Sequence, residues 1–585
     1  MCGINGILQR RVKSKEELKL SIEKMNDAII HRGPDDHGVF LKEKDTYCVA
    51  MAMRRLSIID LSAGGQPIFS DDGAVCIVFN GEIYNFKELR ASLISENTVF
   101  NTHSDTEVIL RLYEKYGTES FRLLDGMYSF SIYDGRLDKL FVARDFFGEK
   151  PLYYLYDEGN FIWASELKSI LRVLKRSPEI STEAISQFFQ LTYIPAPNTI
   201  YEGIKKLEPF HYLEIDCNSH ALSNSEIADT SSSGDSNKIT FDEAKKKTHD
   251  LVLDSIASRA VSDVPIGTFL SGGVDSSIVS LGLAQHVKSP IDTFSIGFDK
   301  KTFDETDKSR TVAKIIASNH HEFNITEGDI EKNISSILTN FDEPFADSSS
   351  LPSYLVAQLT SGHVKVALTG DGGDEVFGGY NKYYTGRLNN LYTASVPESL
   401  HQIVKSTVNV FTSAKSDMRG YRLKIKRLME AIDYDKDFYF NILSLGFTKE
   451  EINLLLKSPY IDKNWIDLYK WKGASNLKDF REIDRIISLE GDLLVKVDRT
   501  SMLNSLECRA PFLNQNLWNF SKTLPDNFHI KGWNKKYLLK ESFKKYFPRD
   551  FLDKSKKGFG VPVGDWMRSS LKEELLSYID ISFLE

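Results

Sequence analysis

The cysteine at position 2 is the first residue whose type and place in the chain could support catalysis. Removal of Met1 would leave a thiol and a free α-amine on Cys2, and the amine, with a pKa of about 8, could assist deprotonation of the thiol. The thiolate could then attack a carbonyl carbon and form a thioester. Alone, a cysteine at this position does not identify a nucleophile, and other segments must supply a pocket for it.

A second stretch that could do chemistry is SGGVDSS, residues 271–277, which lies between an apolar run and a predicted helix over 278–287. A strand that ends in a Gly/Ser turn before a helix directs backbone N–H groups and the positive end of the helix dipole toward the turn. This arrangement suits a phosphate. Asp275 does not suit an anion by itself, so the sequence predicts that it binds a magnesium ion that bridges two phosphates. The Walker A pattern does not occur in the sequence.

The segments around this stretch are predicted to alternate between strand and helix. Strands are expected over 293–296, 322–325 and 364–368, with helices between them. Alternation of this kind indicates a doubly wound parallel sheet, whose ligands bind at the carboxyl ends of the strands. A second glycine-rich acidic turn, residues 369–374, follows the last of these strands. We therefore expect both turns to meet the same nucleotide.

The composition excludes several classes of protein. Of the 585 residues, 41% are hydrophobic and 26% are charged, which is ordinary for a globular chain. The net charge of -9 is small and spread along the chain, so we expect no nucleic-acid or membrane partner. The N-terminus does not resemble a signal peptide, and no apolar run is long enough to span a bilayer. With five scattered cysteines, a cytoplasmic location is expected.

Four polar segments separate the apolar, strand-like stretches of the N-terminal region: residues 31–35, 55–60, 79–85 and 104–107. Together with Cys2, they resemble the class II, N-terminal-nucleophile (Ntn) glutaminase domain of glutamine amidotransferases. The SGGVDSS stretch resembles the corresponding motif of PP-loop ATP pyrophosphatases. The combination, over nearly the whole chain, resembles the glutamine-hydrolysing asparagine synthetase family.

By this resemblance, Cys2 is the nucleophile that attacks the side-chain amide of glutamine, and Asn80 forms the oxyanion hole with the N–H of Gly81. The chemistry agrees, because a tetrahedral oxyanion needs prepositioned neutral donors, each typically worth about 3 kcal/mol. A guanidinium would bind the α-carboxylate of glutamine, and two carboxylates would bind its α-ammonium. The residues expected to bind glutamine are Arg55, Asn80, Gly81, Glu82 and Asp105.

The resemblance also implies roles around the two glycine-rich turns. Asp374 would join Asp275 on magnesium, because acidic side chains that face a triphosphate need a cation between them. Asp371 stands where some members of the family carry Glu, and it is expected to act in catalysis by contacting the amine nucleophile. The residues expected to bind the nucleotide are Phe269, Ser271, Gly272, Gly273, Asp275, Ser276, Ile296, Thr369 and Gly370.

Residues 554–562 resemble the catalytic lysine loop of the family. Lys556 aligns best with the lysine that stabilises charge on pyrophosphate and on the adenylate intermediate. Lys557 is its neighbour and stays open as the alternative. A lysine beside a Gly-Phe-Gly turn suits a movable cation.

The expected fold is a multidomain α/β chain. An Ntn-type α+β glutaminase sandwich is predicted over residues 1–212, followed by a polar linker over 213–240. A PP-loop domain is predicted over 241–585, with a doubly wound parallel sheet and a mostly helical C-terminal part.

The expected reaction is hydrolysis of glutamine and transfer of its ammonia to an adenylated carboxylate, with ATP as substrate, Mg²⁺ as cofactor, and AMP and pyrophosphate as products. Aspartate is the favoured acceptor, although residues 342–352 lack the arginine expected for its α-carboxylate. A sugar uronic acid is the alternative acceptor. A non-catalytic regulator that binds glutamine or nucleotide is a further alternative, disfavoured because the catalytic residues are intact. A homodimer and an internal passage for ammonia are also left open.

Overall fold

The computed structural model describes most of the chain. The described residues are 2–10, 14–157, 159–228, 239–298, 306–413, 428–434, 438–443, 446–447, 449–456, 474, 476–553, 563–569 and 571–580. Within these ranges, no helix combines the length and the apolar character that crossing a membrane requires. The five cysteines all lie within these ranges, and no disulfide bond joins any two of them.

Twelve antiparallel strands form two sheets in the N-terminal part. The first sheet has the order β10-β8-β9-β1-β3-β2 and the second β12-β11-β7-β6-β5-β4, where the strands are β1 (Gly3–Arg10), β2 (Asp36–Glu43), β3 (Tyr47–Arg55), β4 (Ile68–Phe69), β5 (Val75–Ile83), β6 (Gly126–Asp134), β7 (Lys139–Arg144), β8 (Tyr153–Asp157), β9 (Asn160–Ala164), β10 (Ile204–Lys206), β11 (His211–Asp216) and β12 (Leu222–Glu226).

The two sheets pack face to face because each buries an apolar face. Met51 on β3 and Val78 on β5 belong to one buried cluster between them. The helix Lys15–Asp27 covers the outer face of the first sheet, and the helix Asp105–Tyr116 covers the outer face of the second. The result is a four-layer sandwich, which confirms the predicted Ntn-type fold. The remaining helical segments of this part are Ile30–Arg32, Phe86–Ser95, Gly117–Leu123, Leu167–Leu171 and Thr182–Leu191.

The N-terminal unit extends past the predicted boundary at residue 212. Leu213 and Ile215 on β11 are fully buried between the sheets, and β12 adds the edge strand that ends at Glu226. The sequence of β12, LSNSE, is polar because an edge strand exposes most of its side chains to solvent, and this made it resemble a linker. Of the remaining predicted linker, residues 229–238 lie outside the described residues.

Five parallel strands form the sheet of the C-terminal part, which confirms the predicted doubly wound topology. Their order is β15-β14-β13-β16-β17. From β13 to β15 the chain adds strands on one side of β13, and it then crosses to the other side, where β16 lies beside β13. The turns that follow β13 and β16 therefore lie next to each other, as the crevice of such a sheet requires. The strands are β13 (Ile266–Phe269), β14 (Asp292–Phe298), β15 (Asn319–Ile325), β16 (Val366–Leu368) and β17 (Glu507–Arg509).

Helices connect these strands and dominate the rest of the chain, as expected. A π-helical segment, Arg485–Leu494, directs the chain into the helix Val495–Met502, and such segments are frequent near functional sites. The other helices are Phe241–Arg259, Val274–His286, Thr306–Ile316, Glu327–Asn340, Ser350–Ser361, Gly373–Phe377, Asn381–Ser395, Glu398–Ser413, Phe438–Leu443, Lys449–Leu455, Leu477–Asp484, Gln515–Lys522, Asp526–His529, Tyr537–Phe543, Lys544–Tyr546, Val563–Trp566 and Lys572–Tyr578.

Buried ion pairs join the two parts of the chain. The Arg32 guanidinium donates to Asp498 at 2.7 Å and to Glu166 at 2.9 Å. Arg499 lies 2.8 Å from the other oxygen of Glu166. All four side chains are buried, where a charge is tolerated only with a well-placed partner. The mutual position of the two parts is therefore fixed by specific pairing as well as by apolar contact.

Candidate active sites

Cys2 lies immediately before β1, against the second sheet. Its backbone N–H donates to Oδ1 of Asn80 on β5 at 3.0 Å, and Nδ2 of Asn80 lies 3.4 Å from the hydroxyl of Ser129. The next residue, Gly81, has a φ of +151°, and a Cβ there would lie 2.0 Å from a backbone oxygen of Met127. Only glycine fits this conformation and this contact. The structure thus brings the predicted nucleophile and the predicted oxyanion hole together.

Burial raises the pKa of the Cys2 thiol above its ordinary value, and the nearby Arg55 guanidinium opposes part of this effect. The thiol is therefore mostly protonated at neutral pH. Attack on a carbonyl carbon then needs a base beside the sulfur, and the α-amine of the same residue would be the nearest one once Met1 is removed.

A small cavity opens beside the thiol. One wall is Arg55, whose Nη2 donates to the carbonyl oxygens of Ile59 at 3.1 Å and Asp60 at 2.7 Å. These bonds fix the guanidinium and leave its other N–H groups for a ligand. The residues around the cavity are Cys2, Arg55, Leu56, Ile58, Ile59, Gly64, Gln66, Phe79, Gly81, Glu82, Ser104, Asp105 and Thr106.

The two acids predicted to bind the α-ammonium of glutamine both border this cavity. Asp105 accepts a hydrogen bond from the N–H of Ile83 at 3.0 Å, and burial raises its pKa to about 6. Glu82 Oε1 lies 3.2 Å from Nη2 of Arg509, and burial raises the pKa of Glu82 although Arg509 opposes the shift. Arg509 belongs to β17, so the parallel sheet supplies a partner that the sequence did not indicate for this site.

The second candidate site is a cavity of about 490 Å³ at the carboxyl ends of β13 and β16. It is bordered by both predicted turns, and a Cβ on Gly370 would lie 2.8 Å from the backbone nitrogen of Ser276. The close approach of the two turns places phosphate-binding N–H groups next to acidic side chains. Of the predicted residues, those that border the cavity are Phe269, Ser271, Gly273, Asp275, Ser276, Ile296, Thr369, Gly370, Asp371 and Asp374.

Gly272 is the one predicted nucleotide-binding residue that does not border the cavity. Its φ is +73°, and a Cβ there would lie 2.4 Å from the side chain of Lys308. The glycine is therefore required for the turn to pack against the helix Thr306–Ile316. This contact is long-range, and the local motif does not indicate it.

A lysine lies between the two acids predicted to bind magnesium. Nζ of Lys536 is 2.6 Å from Asp275 and 2.7 Å from Asp374. Burial opposes the charge of this ammonium, but the two carboxylates raise its pKa above the ordinary value. Asp275 and Asp374 thus do share a cation, and that cation is a side chain. In the sequence, the only sign of this lysine is the Lys535-Lys536 pair that precedes the helix Tyr537–Phe543.

The donor set still fits a magnesium ion that arrives with a nucleotide. Oδ1 of Asp275 is buried and has no hydrogen-bond partner among the described residues. Those residues contain no group of three or more acidic, histidine or cysteine side chains suited to a metal. Asp275 and Asp374 would therefore hold the ion together with phosphate oxygens and water, which is the usual way that proteins bind Mg²⁺ with ATP.

Comparison with known families assigns each part of the chain to a known domain. The model for a glutamine amidotransferase domain matches residues 1–225, and the model for asparagine synthase matches residues 247–582. The chain belongs to the glutamine-hydrolysing asparagine synthetase family. It is a glutamine-hydrolysing amidotransferase, a ligase that forms C–N bonds, and ATP is a substrate of its family.

Relatives in this family extend over almost the whole chain. An asparagine synthetase [glutamine-hydrolyzing] 1 of Bacillus subtilis is 33% identical over 100% of this chain and 90% of its own length. A putative asparagine synthetase [glutamine-hydrolyzing] 2 of Methanocaldococcus jannaschii is 37% identical over 88% of this chain and 100% of its own length. A putative asparagine synthetase of Mycobacterium tuberculosis is 31% identical over 95% of this chain and 86% of its own length.

The family's lysine loop cannot be placed in the same way. Lys556 and Lys557 lie outside the described residues, because the described chain ends at residue 553 and resumes at 563. The assignment of the catalytic lysine to position 556 stays a prediction.

A third, small cavity of about 20 Å³ adjoins the nucleotide cavity. It shares Thr369, Asp371, Val497 and Cys508 with the nucleotide cavity, and Glu149 and Lys150 border it from the N-terminal part. Its volume is sufficient for one water-sized molecule. Cys508 lies between Glu507 and Arg509 on β17, the strand whose arginine contacts the glutamine cavity.

Proposed function

We propose that this amidotransferase uses the β-carboxylate of aspartate as acceptor and forms asparagine, AMP and pyrophosphate. The observation that carries the proposal is the presence in one chain of a small cavity beside Cys2, bordered by Arg55, Glu82 and Asp105, and a larger cavity built on the SGGVDSS turn. A small cavity of ammonia-sized volume adjoins the larger one and is bordered by residues of both parts of the chain. The residue roles given below belong to the same proposal.

The glutaminase half begins with attack of the Cys2 sulfur on the side-chain amide carbon of glutamine. The free α-amine takes the thiol proton, since burial disfavours the thiolate. Asn80 and the N–H of Gly81 donate to the oxyanion, and the proton then passes to the leaving nitrogen, which departs as ammonia. Water hydrolyses the resulting thioester to glutamate. Arg55 fixes the α-carboxylate and holds the amide at the sulfur.

In the synthetase half, a carboxylate oxygen of the acceptor attacks the α-phosphorus of ATP and pyrophosphate leaves. Ser271, Ser276 and the start of the helix Val274–His286 bind phosphate oxygens. Asp275 and Asp374 would hold a magnesium ion together with phosphate oxygens, where the ion would neutralise charge on the pyrophosphate. Lys536 contacts the same two carboxylates and would supply a further positive charge beside the phosphates.

Ammonia must reach the acyl-adenylate as the free base, because ammonium has no lone pair. The small cavity that adjoins the nucleotide cavity is bordered by Asp371 and, from the N-terminal part, by Glu149 and Lys150. We assign it to the passage, and leakage of ammonium in a stoichiometry assay would contradict this assignment.

The deciding experiment measures amide products from glutamine, ATP and Mg²⁺ with aspartate as acceptor and, separately, with a panel of nucleotide-linked uronic acids. Asparagine and AMP formed one for one would support the proposal. The Cys2→Ala variant should then make asparagine from ammonium salts only. Amidation of a uronic acid without asparagine would establish the alternative acceptor, and absence of any amide product would favour a regulator. A cytoplasmic location and a homodimer stay predictions.

A further inference from the structure

A buried lysine, Lys496, lies in the wall of the nucleotide cavity. Its Nζ is 2.8 Å from Oδ2 of Asp347 and 2.8 Å from the hydroxyl of Ser349. Asp347 in turn accepts from the backbone N–H of Ser349 at 2.9 Å and from its hydroxyl at 2.7 Å. The lysine and the acid are thus held in one fixed arrangement, since each is tied to the same short loop.

This lysine is the only Lys or Arg among the described residues that border the cavity. Its position is set by the π-helical segment Arg485–Leu494, which precedes the helix that carries it. Burial opposes the charge of Lys496, but Asp347 and neighbouring acids raise its pKa above the ordinary value, so the ammonium persists at neutral pH. An ammonium has three N–H donors, and the two contacts given above leave one for a ligand.

Lys496 and the phosphate-binding end of the cavity involve different acids. There, Asp275 and Asp374 contact the other lysine of this region, Lys536. Lys496 instead contacts the loop that contains Asp347, within the segment 342–352 where the sequence lacks an arginine for an acceptor carboxylate. Lys496 thus places a buried cation beside the segment in which that arginine was expected.

We propose that the Lys496–Asp347 pair recognises the two charges on the α-carbon of an amino-acid acceptor, with Lys496 binding the α-carboxylate and Asp347 the α-ammonium. This proposal rests on the proposed function, and it adds which two residues recognise the acceptor as an amino acid. The α-carboxylate and α-ammonium of an amino acid are attached to one carbon, so their separation matches that of a directly hydrogen-bonded ion pair. A uronic acid lacks the ammonium and would leave Asp347 without a ligand.

The test is ATP–pyrophosphate exchange without an ammonia source, with three acceptors that differ by one charge. Aspartate carries both groups, isoasparagine has an amide in place of the α-carboxylate, and succinate lacks the ammonium. The wild-type chain should prefer aspartate over either analogue by about 10- to 100-fold in kcat/KM, the usual effect of a lost charge-assisted hydrogen bond. Equal use of all three acceptors by the wild type would overturn the proposal without any variant.

The Lys496→Met variant should lose this preference over isoasparagine through a higher KM for aspartate, and Lys496→Arg should restore part of it. Asp347→Asn should lose the preference over succinate. A control is Lys139→Met, which also removes a lysine paired with an acid, Glu214 on β11 outside the cavity, and should leave the acceptor preference unchanged. Glutaminase activity of each variant reports that the chain has folded.

The outcomes separate this inference from the proposed function. If Lys496→Met still catalyses exchange with aspartate and keeps the wild-type acceptor preference, the role of Lys496 is wrong and the proposed function stands. The same conclusion follows if Lys496→Met raises only the KM for ATP. Exchange that depends on a uronic acid and on no amino acid would overturn both.

Discussion

Arg509 on the parallel sheet lies 3.2 Å from Glu82 in the wall of the glutamine cavity. The same guanidinium is held by Glu507, whose Oε1 accepts from Nε at 2.6 Å, and by the backbone oxygens of Arg259 and Val261. A residue of the synthetase half thus fixes an acid that is expected to bind glutamine. The glutamine site is completed by the other half of the chain.

Replacement of Arg509 by Lys should raise the KM for glutamine about 10-fold, because lysine cannot hold Glu82 and Glu507 with a planar fork. The measurement is glutamate release from glutamine alone, without ATP or acceptor. Arg310→Lys, which alters an exposed pair with Glu322, is the control and should have no effect. An unchanged KM in Arg509→Lys would show that Glu82 does not need this partner.

Glutamine binding should weaken as the pH falls through about 6. Burial raises the pKa of Asp105 to about 6, so acidification makes this carboxyl neutral and removes its attraction for the α-ammonium of glutamine. The KM for glutamine, measured between about pH 5 and pH 8, should therefore rise toward the acid end. In Asp105→Asn the KM should be high throughout and lose this dependence, whereas an identical pH profile would assign the titration to another group.

Asn80→Ala should lower the kcat of glutamine hydrolysis by about 100- to 1000-fold, the usual loss for one oxyanion donor. It also removes the acceptor for the N–H of Cys2. Synthesis from ammonium salts should be unaffected, because Asn80 lies outside the nucleotide cavity. Ser129→Ala removes only the contact to Nδ2 and should have a smaller effect. Equal losses in both variants would indicate a general packing defect.

Lys536→Met should make the melting temperature depend on Mg²⁺. The lysine now neutralises Asp275 and Asp374, so its loss leaves two facing carboxylates that a divalent ion would stabilise by binding the folded state only. Thermal unfolding with and without Mg²⁺, in the absence of ATP, measures this. Lys540→Met, which loses a pair with the exposed Asp553, is the control and should behave like the wild type. No added Mg²⁺ dependence in Lys536→Met would contradict the expectation.

The parts of the molecule that the sequence predicted are those set by local patterns. The alternation of strands and helices, the two glycine-rich turns and the penultimate cysteine are each encoded within a few residues, and the sheets and cavities place them as expected. The Ser/Asn-rich edge strand β12 was missed because its exposed side chains have the composition of a linker.

Contacts between distant residues could not be predicted in this way. Lys536 is 261 positions away from Asp275, and nothing in the periodicity of either segment indicates that they meet. The same holds for Arg509 with Glu82, and for Lys496 with Asp347, which are 149 positions apart. The pairing of Arg509 with Glu82 depends on how the two parts of the chain pack together, and the other two depend on how the C-terminal part folds; no local sequence pattern encodes either.

The buried pairs of Arg32 bear on how such a chain can be divided. The N-terminal part, made alone, would leave this guanidinium without Asp498 and would expose the apolar surface that Phe147 packs against Trp518. During synthesis, the N-terminal part therefore exposes this apolar surface and lacks the Asp498 partner of Arg32 until residues near 500 have left the ribosome. Exchange of one part for its counterpart from a distant relative would then require matching changes on the other, so we expect the two to diverge together.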